Sequence, residues 1–95
     1  MSDQVAEYEV RAASMRALLE KHAGEAQAHV VEAAGRLEAA ATRVSVSASS
    51  WSSVERALED LSRSVRMARE CAERVEHAER EAAYARREAA RESQR

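Results

Sequence analysis

Proline, phenylalanine, isoleucine and asparagine are all missing from the 95-residue chain, which has only two glycines, one cysteine, one tryptophan and two tyrosines. Each shortage removes a class of structure. With the β-branched and aromatic residues that pack a pleated surface scarce, no sheet is expected. With so few turn-formers, closely spaced loops are excluded as well. A lone Cys71 cannot close an internal disulfide. The opening Met1-Ser2-Asp3-Gln4 carries charge and no apolar run, so no classical signal peptide is expected, and no apolar stretch approaches membrane-spanning length. Fifteen bases against seventeen acids, intermixed throughout, give no basic footprint for nucleic acid.

Alanine supplies 22 residues, and Glu and Arg fill most of the rest. That bias reads as long helices in a single domain. Most apolar side chains are single methyls, too little bulk to wall a deep pocket of the chain's own, so no enzyme is expected.

One break divides the chain. Ser45 to Ser53 reads SVSASSWSS, six serines in nine positions with no charge. Serine hydroxyls compete for backbone hydrogen bonds and disfavour helix interiors. Ser52-Ser53-Val54-Glu55 then has the form of a capping box. These signals predict helix one over about 3–44, capped by Ser2 or Asp3, a serine-rich turn over 45–52, and helix two over about 53–93. Equal helices around a short break predict an all-α, antiparallel, coiled-coil-like hairpin.

Apolar spacing predicts the contact between the helices. On helix one the seam runs from Val5 and Tyr8 through Ala12, Met15, Leu19, Ala23, Ala26, Val30, Ala33, Leu37 and Ala40 to Val44. Two successive steps of four, Met15 to Ala23, form a stutter that should unwind the supercoil locally. On helix two the seam runs Val54, Leu58, Leu61, Val65, Ala68, Ala72, Val75, Ala78, Ala82, Ala85, Ala89. A second stripe on helix one includes Val10, Ala17, Gly24, Ala28, Val31 and Gly35. Each glycine costs about 1 kcal/mol against alanine inside a helix, and close approach of another helix would offset that. This stripe is the expected dimer face, and two hairpins joined through it would make a four-helix bundle. A two-helix hairpin with few large side chains is marginal alone, which points the same way.

Chemistry-bearing residues are few. Glu25/His29 and Glu73/His77 stand at i, i+4 and could supply two metal ligands each, short of the usual four, so they read as surface pairs and no metal or other cofactor is expected. Cys71 sits mid-helix, where no dipole favours its thiolate, and reads as a small packing residue. Arg80, Arg86, Arg87 and Arg91 interleave with Glu79, Glu81, Glu88 and Glu92 as an ion-paired, solvated face. Two aromatics stand out by position. Trp51 lies in the polar break, where it packs across the hairpin tip or binds a partner. Tyr84 points about 100° away from Ala85 of the seam and shares a face with Glu88 one turn on.

About 100 residues, two long helices, Trp51 at the connection and Tyr84-Ala85-Arg86-Arg87-Glu88 late in helix two together resemble the WXG family, the ESAT-like hairpins of type VII secretion. The third position of the W-x-G turn is Ser53 here, and 33 residues separate Trp51 from Tyr84. The resemblance implies a cytoplasmic pool exported without a cleaved signal peptide, and pairing with another helical hairpin, itself or a paralogue. It also implies recognition of Trp51, Tyr84 and Glu88 by a secretion ATPase. Beside it stands a second expectation: a coiled-coil scaffold or adaptor subunit, or a small helical chaperone, holding a partner helix on the helix-one stripe.

Overall fold

The computed structural model describes residues 2–94, and side chains from Ala6 to Gln94. Two helices make up the fold, α1 (Ser2–Thr42) and α2 (Ala48–Ser93), packed against each other as a hairpin 74 Å long and 18 Å wide. The caps expected at Ser2 or Asp3, and the seam position at Val5, rest on side chains outside the described residues.

The helices meet along positions that step by four and three. On α1 the half-buried set is Ala12, Arg16, Leu19, Ala23, Ala26, Val30, Leu37, Ala40 and Val44, with Ala33 fully buried. This repeat averages 3.5 residues, the period of a left-handed coiled coil. The expected stutter does not occur, because Arg16 and not Met15 takes the inward position. The Arg16 stem lines a groove with Ala82 and Ala85, where its methylenes cover alanine while the guanidinium reaches water. Tyr8, expected in the seam, is exposed at its rim. Helices spaced by alanines stand too close to admit a phenol between them.

On α2 the set is Ser50, Val54, Ala57, Leu61, Ser64, Ala68, Cys71, Val75, Ala78, Ala82 and Ala85. Four expected members give way to the residue before each: Ala57, Ser64, Cys71 and Glu88 are half-buried, while Leu58, Val65, Ala72 and Ala89 are exposed. Pairing the half-buried positions outward from the turn sets Leu37 with Ala57, Val30 with Ser64 and Ala33 with Leu61, a large residue with a small one, which accounts for Ala57 and Ser64 in place of Leu58 and Val65. Cys71 is thus part of the seam itself.

α2 begins at Ala48, five residues before the expected start, and the connection shortens to 43–47. The capping box does not form. Ser47 is the N-cap residue, with extended backbone and no side-chain cap bond. The serines remain compatible with helix because their hydroxyls turn back on the preceding turn. Ser52 Oγ donates to the Ala48 carbonyl (3.3 Å) and Ser53 Oγ to that of Ser49 (3.5 Å). Ser50 closes the connection: its Oγ accepts from the Ser45 amide (3.2 Å) and donates to the Ser47 carbonyl (2.7 Å).

Candidate interaction surfaces

Ala33, 3% exposed, is the one fully buried apolar residue among those described. The larger apolar side chains are distributed outside, and their placement defines the surfaces available for binding.

Trp51 lies in the first turns of α2, not in the connection, and is 54% exposed. It does not plug the hairpin tip, where Val46 is fully exposed. Tyr84 is 65% exposed at the other end of the molecule. Thirty-three residues of helix put the two aromatics about 50 Å apart along α2, so one hairpin does not bring them together. Tyr84 stands beside an open groove with Tyr8, His77, Arg80 and Glu81. Glu88, one turn on, is half-buried, and its carboxylate meets the Arg91 guanidinium at 3.7 Å.

Val10, Ala17, Gly24, Ala28, Val31 and Gly35 are all exposed on α1. A methyl added at either glycine would meet nothing within 4 Å. Nothing from α2 requires glycine there, and the stripe is open.

The two edges of the hairpin differ. A groove of about 350 Å³ at the open end is lined by Ala13 of α1 and Arg86 of α2, among others. Stepping toward the tip by sevens along this edge reaches Ala34 and Ala41 on α1, and Ala72, Val65, Leu58 and Trp51 on α2. All of these are exposed. The opposite edge carries His22, Glu25, His29, Arg36 and Met67 around one groove, with Cys71 at its floor. Besides Met67 it carries Met15, seven residues before His22; Met15 is exposed and lines a groove with Arg74 and Glu81. The apolar edge is hidden in the sequence because Leu58, Val65 and Ala72 also fit the period of the internal seam and Trp51 falls in the serine-rich break. The sevenfold spacing from Trp51 was the available signal.

Ion pairs are local and exposed. His29 Nδ1 lies 3.7 Å from Glu32, and His77 Nε2 3.1 Å from Glu81. Both histidines therefore pair with the acid following them, not with Glu25 or Glu73. Such exposed pairs contribute little stability. Among the described residues, no three His, Cys, Asp or Glu side chains gather as metal ligands would.

No family model matches this chain, and no curated protein or solved structure matches it.

No helix among the described residues is long and apolar enough to cross a membrane. What the surface offers chemically is shape and apolar contact: a rigid rod with one apolar edge near its tip, an open stripe of small residues, and two aromatics far apart.

Proposed function

We propose that this chain is a non-enzymatic interaction module that works paired with another helical hairpin, itself or a paralogue. One observation carries the reading. Among the described residues the hairpin closes off a single alanine and leaves Trp51, Leu58, Val65, Val31, Met15, Leu18, Met67 and both tyrosines about half exposed or more. Isolated exposed apolar residues are ordinary, but continuous stripes of them along a rod mark contact with a partner. A second hairpin is the partner whose shape and periodicity match such a rod, and the result is a four-helix bundle.

Within this reading, the resemblance to the WXG family suggests a small substrate or partner of type VII secretion. The chain would keep a cytoplasmic pool and leave without a cleaved signal peptide, with Trp51, Tyr84 and Glu88 recognised by a secretion ATPase. The exposure of Trp51 and Tyr84 supports that assignment, since both rings are free to be contacted. In a reconstituted export system, Tyr84→Ala and Trp51→Ala should each reduce export at least tenfold while leaving the helical spectrum unchanged. Export equal to the parent removes the secretion assignment.

A second reading is a coiled-coil scaffold or adaptor, or a small helical chaperone. It is favoured by the open α1 stripe, which nothing in the hairpin itself requires. On this reading Gly24→Leu or Ala28→Glu abolishes assembly, and neither aromatic matters.

A further inference from the structure

Resting on the interaction reading, we infer that the partner on the apolar edge is a second copy of this chain. The two α2 helices would lie antiparallel about a two-fold axis near Ser62.

The first support is area. The chain exposes 7976 Å², whereas a compact protein of 10.5 kDa exposes about 5,400 Å². The excess is several times the roughly 800 Å² per partner that a standard interface covers. The apolar edge is also confined. Trp51, Leu58, Val65 and Ala72 recur every seven residues, and the same position then becomes Glu79 and Arg86. A partner overlapping the sevenfold strip from Trp51 to Arg86 end to end in antiparallel fashion would set Leu58 against Glu79. Apolar matching is best when tip half meets tip half.

The second support is complementarity of the strip with itself. In an antiparallel pair, facing positions sum to a constant to within about one residue, or about 1.5 Å of rise. A centre near Ser62 places Trp51 over Ala72 of the other copy and Leu58 against Val65, large on small at the ends and branched aliphatics inside. The flanking positions one turn on are Glu55, Ser62 and Arg69, all exposed. The same register sets Glu55 opposite Arg69 of the second copy, twice by symmetry, and Ser62 opposite itself. Arg69 also lies 3.6 Å from Glu73 of its own helix, an exposed pair that leaves its guanidinium free to reorient. A parallel pairing would instead oppose Glu55 to Glu55 and Arg69 to Arg69. Ala34 and Ala41 of α1 border the strip and present only methyls, so the second α2 can approach closely.

The geometry gives a distinctive shape. Two 74 Å rods overlapping at their tips make a particle about 100 Å long. Rods overlapping along their whole length would keep the length of one hairpin.

Sedimentation equilibrium and small-angle scattering on the full chain test this. The parent should have twice the chain mass and the longer dimension. Leu58→Glu, at a position exposed in the single hairpin, should weaken association at least tenfold with its helical spectrum retained. Glu55→Arg alone should weaken association at least threefold. Glu55→Arg combined with Arg69→Glu should restore it, as should mixing the two single variants. A monomeric parent overturns the inference, and the broader interaction reading then requires a different chain as partner. A dimer of single-hairpin length, or one indifferent to Leu58→Glu and to the charge exchange, overturns this face and register while leaving the broader reading in place.

Discussion

At Ala33 a single methyl is buried in the seam, 3% exposed. The spacing of the hairpin is set at such positions, where nothing larger fits. Ala33→Leu should therefore cost about 1–3 kcal/mol by overpacking, seen as a lowered urea midpoint. Gly24 and Gly35 are the opposite case, since an added methyl meets open space. Gly24→Ala and Gly35→Ala should each stabilise the folded chain by about 0.5–1 kcal/mol through reduced backbone entropy of the unfolded state. A loss of stability at either glycine would mean that the α1 stripe is closely packed in solution, as the scaffold reading requires. Much of α1 was legible residue by residue: the small and branched apolar residues from Leu19 to Val44 occupy the expected seam. Arg16 was not, because a charged residue carries no apolar signal in a sequence pattern although its stem covers alanine well.

At the scale of the element, the two halves of the hairpin hold together unequally. Near the turn the seam has Val30, Leu37, Val54 and Leu61; toward the open end it has Ala12, Ala78, Ala82 and Ala85. Each buried methylene contributes about 0.8 kcal/mol, so the alanine half is weaker, and the turn tethers only the other end. Backbone amides of residues 8–19 and 78–90 should exchange with solvent at least tenfold faster than those of 30–40 and 54–68, measured by hydrogen–deuterium exchange. Uniform protection would contradict this account of the seam. The existence of both helices was legible from composition and period. The start of α2 was not. Serine propensity argued for a break as far as Ser52, but hydroxyls that bond back to Ala48 and Ser49 cost the helix little, and the turn at 43–47 suffices to reverse the chain. The choice between Leu58 and Ala57 for the seam was equally hidden. Both continue an apolar period, and only the size of the facing residue on α1 decides between them.

For the whole molecule, the poverty of large side chains has one consequence. A hairpin that faces small residues inward keeps its larger ones outward, and its free energy of folding is correspondingly modest. The outward residues form an apolar strip near the tip on one edge and a mixed edge, with His22, His29 and Arg36 beside Met15 and Met67, on the other. The exposure of Tyr84 was legible from its position alone; that of Trp51 was not, because an indole in the break could equally have packed across the hairpin tip. Their separation by most of the length of α2 belongs to the helix geometry, and it means that any reader of both must span the rod or read two chains. If one hairpin is half of the proposed assembly and a second copy the other half, sedimentation equilibrium of the purified chain from low micromolar to millimolar concentration will show conversion to a species of twice the 10.5 kDa chain mass. A single species of 10.5 kDa at every concentration would contradict it.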